Sequence, residues 1–466
     1  MGDHLVVSVT ADEFVQRGPG RPVFNQGPRL ETIAALSCVD YVALSEDSSA
    51  LPIINALRPD FYCKGREYAD PATDLTANFR RERERVEELG GKVELLGGAV
   101  HSSTQLLNRH FDVLPELARS FVEDFRTRYR HDDIRRIVEG LSQLSVLVVG
   151  EVIVDEYINC QMEGVTVKDH VPAVREFGRD RQWGGSYAVA RHLAEFCGTV
   201  TLTGIASPED PLMATEPPPD ASESVAREFV TDPGARTIVK QRYVVENELR
   251  AELDKVFAVH HTPGPESISS VSRDLFRGRL RELMACHDFV VVTDYGHGLL
   301  DQATMDVLQH EAPSLALNCQ TNSSNYGFNL ITKYRQVDTF CLDQVELALA
   351  FRVPQSENWK LLLQQLREQL GARTGWLTLG AEGAISVGSQ GEVHEIPALT
   401  LDVRDTLGAG DAFFSLASAC AAKEEPLEVS AFVGNAAGAL AVNITGNTYP
   451  VKKVDLLKFA WTVLNV

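Results

Sequence analysis

Residues 403–422 read "VRDTLGAGDAFFSLASACAA" and join a glycine-rich turn to an apolar helix. Gly408, Ala409 and Gly410 are small enough to let backbone N–H groups approach an anion, and the start of the helix adds partial positive charge. Asp411 falls in the first helical turn, where a carboxylate can take the proton of a hydroxyl that attacks phosphorus. Taken alone, the segment also fits a capped helix in which Asp411 only complements the helix dipole.

Segments on both sides of this turn follow a wider pattern. They are, in chain order, "LVVGEVIVDEY" (147–157), "WGGSYAVARHLAEF" (183–196), "VVVTDYGHGLL" (290–300), "CLDQVELALA" (341–350), "GWLTLGAEGAISV" (375–387) and "FVGNAAGALAV" (432–442). Together with "DTLGAGDAF", they resemble the PfkB, or ribokinase-like, carbohydrate kinases over residues 144–466.

This resemblance implies an α/β fold: a ribokinase-like three-layer α/β/α kinase domain with a small β lid. It implies ATP-dependent phosphorylation of a hydroxyl on a sugar or sugar phosphate, with Mg²⁺ required and a role for K⁺ left open. Asp411 is then the general base, residues 408–410 form the anion hole, and Glu346 organises water and Mg²⁺ at the phosphates. The resemblance assigns ATP contacts to Thr378, Gly380, Gly383, Asp405, Thr406 and Asn435. It assigns acceptor contacts to Asp155, Gly184, Gly185 and Asp294.

Two cations stand in the strand-like stretch "TIVKQRYVV" (237–245). Lys240 and Arg242 alternate along it and therefore share one face. Such a pair can hold a phosphate that the acceptor already carries. The alternative is a solvated edge strand.

Departures from the family pattern lie on the acceptor side. Ala188 replaces an Asn and follows the bulky Tyr187, His297 replaces a Lys, and Glu151 replaces an Asp. The stretch "LNCQTNSSNYGFN" (317–329) offers neutral amides and hydroxyls where charges are usual. These changes favour a working kinase with an altered acceptor over a kinase-like protein that binds a sugar phosphate or nucleotide without turnover.

The first part of the chain alternates short strands and helices, which predicts a parallel sheet. "GDHLVVSVTAD" (2–12), "LRPDFYCKGREY" (57–68) and "HSSTQLL" (101–107) resemble the cytidylyltransferase-like domain of the bifunctional heptose-7-phosphate kinase/heptose-1-phosphate adenylyltransferases. Arg29 and Lys64 occupy positions where that family has functional basic residues.

That group begins with a strand and an H-x-G-H turn, whose histidines stabilise the leaving pyrophosphate. Neither His4 nor His101 replaces that motif, so we expect a partial Rossmann-like nucleotidyltransferase domain that starts on its second strand. It is either degenerate or preceded by residues before Met1, in which case a sugar nucleotidyltransferase activity is a further alternative.

The division expected from these patterns is a truncated cytidylyltransferase-like domain at 1–110, a helical linker at 111–143 and the kinase domain at 144–466. The chain has 466 residues and a net charge of −21, which argues against nucleic-acid and anionic-membrane partners. Its eight cysteines are scattered without a metal or disulfide pattern, and no signal peptide or membrane span is evident. A cytoplasmic homodimer that associates through the lid and acts on a small sugar is expected.

Overall fold

The computed structural model describes residues 2–15, 22, 24–65, 78–97, 114–210, 224–247, 252–354, 358–400 and 403–465. The chain divides into two compact units. Unit 1 comprises Met1–Pro115, Val122–His131 and Val454–Val466, and unit 2 comprises Glu116–Phe121 and Asp132–Lys453. Among the described residues, no helix has the length and apolar character needed to cross a membrane.

Unit 1 contains the alternating strands and helices predicted from the sequence. Its strands are β1 (Val6–Thr10), β2 (Tyr41–Ser45), β3 (Phe61–Gly65) and β4 (Lys92–Leu96), and its first helices are α1 (Gln26–Ala34), α2 (Leu51–Leu57) and α3 (Asn78–Glu88). In the described part of the unit, the strands form two separate parallel pairs, β1–β2 and β3–β4. Two residues after the end of α3 stands Gly90, whose φ of 87° suits glycine.

Two helices, α4 (Glu116–Arg128) and α5 (His131–Gly140), follow in the stretch predicted to be helical. The last helix of the chain is α13 (Lys453–Leu464).

Unit 2 is built on a nine-stranded sheet in the order β17-β16-β15-β14-β13-β12-β5-β8-β9. All neighbours in it pair in parallel except β15–β16 and β16–β17. Its strands are β5 (Ser145–Gly150), β8 (Thr199–Ala206), β9 (Val225–Thr231), β12 (Phe289–Asp294), β13 (Leu315–Cys319), β14 (Thr339–Asp343), β15 (Thr374–Thr378), β16 (Ala384–Gly388) and β17 (Val393–Ile396). Every residue of β12 is buried, as expected of a parallel strand covered on both faces.

The helices of unit 2 alternate with these strands, which confirms the predicted α/β class. They are α6 (Ser186–Ala194), α7 (Ser270–Met284), α8 (Gln302–Glu311), α9 (Gln344–Phe351), α10 (Trp359–Gln369), α11 (Ala409–Ala422) and α12 (Leu427–Ala441).

A second sheet of unit 2, the lid sheet, has the order β11-β10-β6-β7. It consists of β6 (Val152–Val165), β7 (Pro172–Gly185), β10 (Ile238–Asn247) and β11 (Glu252–His261). The chain enters it directly from β5 and leaves it at Gly185, where φ is +60° and an added Cβ would lie 2.6 Å from the Glu151 carbonyl oxygen. Only glycine allows this close return to the central sheet.

Two expectations about strands are wrong. Lys240 and Arg242 do not lie on an edge strand, because β10 is hydrogen-bonded to β11 on one side and to β6 on the other. The Pro- and acid-rich stretch 207–229 predicts an exposed loop, but its residues 225–229 lie in β9, the last strand of the central sheet. This half-exposed strand is hard to predict because it contains the charged residues Arg227 and Glu228 and follows a Pro-rich stretch.

Candidate active site

Asp411 lies in the first turn of α11, directly after the predicted glycine-rich turn. Gly408 caps the helix with a φ of +82°, and an added Cβ there would stand 2.6 Å from the Asn447 Oδ1 atom. From Ala412 to Ala421 every residue of the helix is buried, whereas Gly410 is exposed and Asp411 half-buried. The first N–H groups of a helix have no acceptor within it. The turn therefore presents a half-buried carboxylate beside backbone donors, at the place in the chain that the sequence predicts.

The environment of Asp411 suits a general base. Burial raises the pKa of this carboxyl to about 7 and the Asp155 charge adds to the effect, whereas a hydrogen bond from Gln320 and the Lys240 ammonium oppose it. Gln320 Nε2 donates to Asp411 Oδ1 at 3.2 Å. A base whose pKa lies near the working pH transfers protons most efficiently.

Gln320 is a site residue that the sequence reasoning missed. Its Nε2 also donates to Asn318 Oδ1 at 2.8 Å, and Asn318 Nδ2 donates to the Cys341 carbonyl oxygen at 3.0 Å. This chain of hydrogen bonds connects Asp411 to the buried strands β13 and β14. The one available signal was that Gln320 falls in the segment that departs from the family pattern.

The acceptor side contains an ion pair that the sequence did not predict. Arg242 Nη2 lies 2.6 Å from Asp155 Oδ1, and both side chains are largely buried. An added Cβ on Gly184 would stand 2.3 Å from Asp155 Oδ2, so this glycine makes room for the carboxylate. Asp155 and Arg242 therefore neutralise each other beside the site.

Lys240 is placed differently from Arg242. It pairs with Asp155 across β10 and β6, and it makes no salt bridge within the described residues. Burial lowers the pKa of its ammonium, although the Asp155 charge opposes this. Lys240 also lowers the pKa of Asp411, so the two groups lie within electrostatic range of each other.

The Asp294 carboxylate is occupied by protein groups. Lys333 Nζ lies 2.5 Å away, the Tyr334 hydroxyl donates at 2.7 Å, and the Gly296 N–H donates at 3.0 Å. Asp294 is 1% exposed. These contacts fix the loop after β12. They also occupy the Asp294 carboxylate with protein groups, so it is less available to bind a substrate directly.

The amides of residues 317–329 also serve this loop. Asn322 and Asn325 donate to the Tyr295 carbonyl oxygen at 2.7 and 2.8 Å, and Asn329 donates to the Asp294 carbonyl oxygen at 3.0 Å. The sequence suggested that these amides replace charged acceptor contacts. In the structure, four of them, Asn318 included, donate to main-chain carbonyls, and Gln320 is the one that reaches Asp411.

Two further departures have structural explanations. Tyr187 and Ala188 lie on α6 with 0% and 1% exposure, so the bulky Tyr187 packs inside the unit. Glu151 accepts hydrogen bonds from the backbone N–H groups of Tyr295, His297 and Leu299 at 3.2–3.3 Å. Burial, followed by the Asp294 charge, raises the pKa of Glu151 to about 7.

Asp405, a predicted ATP contact, connects the lid sheet to the turn before α11. It accepts hydrogen bonds from the Tyr157 hydroxyl at 2.9 Å, from Lys255 Nζ at 3.0 Å and from the Gly446 N–H at 2.9 Å. Thr406 follows it at an exposed position.

The other predicted ATP contacts lie at the β15 side of the sheet. Gly380 and Gly383, with φ of 57° and 105°, shape the turn between β15 and β16, and Thr378 ends β15. Asn435 on α12 donates to the carbonyl oxygens of Ile396 and Pro397 at 3.3 and 3.2 Å, so its amide is engaged with the chain.

Glu346 forms a capping box at the start of α9. It accepts from the Asp343 and Thr321 N–H groups at 2.9 and 3.2 Å, and the Asp343 side chain accepts from the Glu346 N–H. Burial, then the Asp343 charge, raises the pKa of Glu346 to about 8. Both Glu346 oxygens thus accept backbone N–H groups, and the described residues contain no group of three or more His, Cys, Asp or Glu side chains that could hold a metal ion.

The two basic residues singled out in unit 1 are engaged in ion pairs. Arg29 Nη2 lies 2.5 Å from Asp12 Oδ1, and Lys64 Nζ lies 3.4 Å from Glu82 Oε2. The "HSSTQLL" segment lies outside the described residues.

The fold of unit 2 is that of the ribokinase-like kinases. The structure of phosphofructokinase-2 from Escherichia coli in complex with substrates and products matches with a TM-score of 0.53 and 15% identity, covering 68% of this chain and 98% of that one. Residues 266–454 match the model of the pfkB family carbohydrate kinases, and residues 1–136 match the cytidylyltransferase-like model. The chain thus joins a region that matches the pfkB model to a region that matches the cytidylyltransferase-like model.

Two relatives extend the comparison to whole proteins. Bifunctional protein HldE of Koribacter versatilis is 30% identical over 331 residues, which are 70% of this chain and 65% of that protein. D-beta-D-heptose 7-phosphate kinase of Bordetella bronchiseptica is 27% identical over 274 residues, 59% of this chain and 82% of that protein. The chain therefore spans just under two thirds of the length of the HldE relative.

Proposed function

We propose that unit 2 transfers the γ-phosphoryl group of ATP to a hydroxyl of a sugar phosphate. The observation that carries this proposal is Asp411, a carboxylate with a pKa of about 7 at the start of α11, directly after the glycine turn. Asp411 takes the proton of the acceptor hydroxyl, and the N–H groups of the turn stabilise the charge of the transferring group. The relative named D-beta-D-heptose 7-phosphate kinase favours a heptose phosphate as the acceptor.

Lys240 is our candidate for the phosphate already on the acceptor. It is the cation of β10 that no carboxylate pairs with in the described part, whereas Arg242 is neutralised by Asp155. Glu346 and Asp343 would hold Mg²⁺, directly or through water, and the ion neutralises charge on the ATP phosphates when bound. Thr378, Gly380, Gly383 and the turn at 405–410 remain the proposed surroundings of ATP.

The test compares Asp411→Asn with Asp274→Asn, which removes an exposed carboxylate on α7. ATP consumption is measured with a panel of hexose 6-phosphates and heptose 7-phosphate. We expect Asp411→Asn to lower kcat by at least about 100-fold, the contribution of general-base catalysis, and Asp274→Asn to leave it unchanged. An Asp411→Asn variant with normal kcat would refute the role of the base.

A binding protein without turnover is the second candidate, because two predicted acceptor contacts, Asp155 and Asp294, are engaged by protein groups. ATP binding without turnover of any panel member would support it. Incubation with a nucleoside triphosphate and a sugar 1-phosphate tests in parallel for nucleotidyl transfer by unit 1.

We also propose a cytoplasmic homodimer that associates through the lid sheet. The β6–β7 hairpin exposes large apolar side chains, among them Val167 at 92% and Phe177 at 73%. Exposed apolar clusters of this kind mark interaction surfaces. Sedimentation of the wild-type chain and of Phe177→Lys measures whether this face holds two copies together.

A further inference from the structure

A small cavity of about 50 Å³ lies beside the acceptor side in unit 2. The ends of β5 and β8, the start of β10 and the short turn Pro265–Ser267 enclose it. Most of its lining is apolar, including Ile205, Phe229 and Ile238. A volume of this order holds about one or two water molecules or a single small substituent of a ligand.

His297 gives this cavity an unsatisfied polar group. It lines the cavity and is 8% exposed, and its Nε2 atom is buried without a hydrogen-bond partner in the described structure. Its backbone N–H donates to Glu151 Oε1 at 3.2 Å, which fixes the residue in place. A buried polar atom without a partner costs free energy unless a ligand or water satisfies it.

The cavity continues the proposed acceptor site. Ile238 lines it, and Lys240 follows two residues later on the same face of β10, at a distance of about 7 Å. Ile153, Ile238 and Tyr295 form a small apolar cluster between the two sheets. Burial and then the Lys240 charge lower the pKa of His297 to about 4, so its imidazole is neutral at physiological pH.

The lining disfavours an anion. Two acidic residues, Glu151 and Asp210, belong to the lining, and the guanidinium of Arg236, its one basic residue besides His297, donates to the carbonyl oxygens of Pro233 and Ala235. A neutral imidazole in such surroundings can exchange a hydrogen bond with an uncharged hydroxyl at no electrostatic cost.

We propose that His297 and this cavity form a subsite for one uncharged hydroxyl of the acceptor, with any phosphate of the acceptor held on the Lys240 side. The inference rests on the proposed function, because it adds a specificity element to the same site. It also gives a reason for a histidine where the related kinases carry a lysine: the group recognised here is a hydroxyl rather than an anion.

The test is a thermodynamic cycle that combines a change in the protein with the removal of one hydroxyl from the ligand. Kd values are measured by calorimetry for heptose 7-phosphate, mannose 6-phosphate and their monodeoxy analogues in the Asp411→Asn background, so that no turnover is needed. We expect one deoxy analogue to bind about three- to tenfold more weakly than its parent, the value of one neutral hydrogen bond. His297→Ala should weaken the parent by the same factor and leave that analogue unaffected.

Two further variants separate the hydrogen bond from the fold. His297→Gln keeps a hydrogen-bonding group and should recover part of the affinity, whereas Ala206→Leu fills the cavity and should weaken the parent without touching His297. His310→Ala, on the exposed side of α8, is the control and should change nothing.

Three results would each overturn the subsite. The first is that the losses in affinity from His297→Ala and from removal of a hydroxyl add up for every analogue. The others are an unchanged Kd in His297→Ala and no binding by any member of the panel. The kinase proposal fails separately, when the wild-type chain binds an acceptor and ATP and does not transfer phosphate.

Discussion

Replacing Gln320 by Leu tests how the fold sets the basicity of Asp411. The substitution keeps the approximate volume of the side chain and removes the donor that lies 3.2 Å from Asp411 Oδ1. The neighbouring Asn318 loses the same donor, but its own amide stays bonded to the Cys341 carbonyl oxygen. The change therefore acts mainly on the carboxylate.

The size of the effect follows from the hydrogen bond. A hydrogen bond to a charged group contributes about 1.5–3 kcal/mol, and 1.36 kcal/mol corresponds to about one pKa unit. Because Gln320 stabilises the ionised form, its loss raises the pKa of Asp411 from about 7 by roughly one to two units. For a shift of one unit, the ionised fraction at pH 7 falls about fivefold.

The assay is the pH dependence of kcat/KM with the best acceptor of the panel, because its acidic limb reports the free enzyme. Gln320→Leu should move that limb to higher pH and approach the wild-type rate above pH 9. Gln320→Lys, which places a cation beside the carboxylate, should move it to lower pH. The control is Gln302→Leu at the start of α8. A uniform loss of rate with an unmoved limb in both Gln320 variants would refute the reasoning.

Two predictions concern stability. His192 is buried, and its Nδ1 accepts a hydrogen bond from the Val451 N–H at 3.1 Å. Burial lowers the pKa of His192 to about 3. Between pH 6.5 and about 3, the unfolded state therefore binds a proton that the folded state does not. As the pH is lowered through this range, the free energy of unfolding measured by chemical denaturation should fall by up to about 1.4 kcal/mol per pH unit. His192→Asn should remove this dependence, and an unchanged slope in the variant contradicts the assignment. In unit 1, Glu82 accepts from the Ala50 N–H and the Tyr62 hydroxyl at 2.8 and 2.7 Å. Glu82→Ala should destabilise that unit by about 1–3 kcal/mol and speed hydrogen exchange in β3, while the exposed Glu88→Ala should not.

The sequence predicts most of the elements because their signals are local. Buried parallel strands are short apolar runs, as in 289–294, and the helix after the glycine turn begins where small residues meet an acidic first turn. The strand at 225–231 was not predicted because its charged residues are typical of an exposed loop.

The contacts that define the site depend on distant parts of the chain. Arg242 binds Asp155, 87 residues earlier, because the register of β10 on β6 places Arg242 opposite Tyr157, two residues from Asp155 on the neighbouring strand. Gln320, directly after β13, reaches Asp411 in the first turn of α11 across 91 residues. No local pattern in the sequence encodes either contact, so a motif identifies the residue types and the fold decides which of them remain available to a ligand.

Asp405 has a consequence for motion. Its carboxylate binds Tyr157 and Lys255 of the lid sheet and, at the same time, the N–H groups of Leu407 and Gly446. Because one rigid group connects them, the lid strands cannot swing away from the glycine turn without breaking at least two hydrogen bonds, one of them charged. Opening of the lid sheet and loosening of the glycine turn are therefore a single event, and under the proposed function the rate at which product leaves should depend on this one side chain.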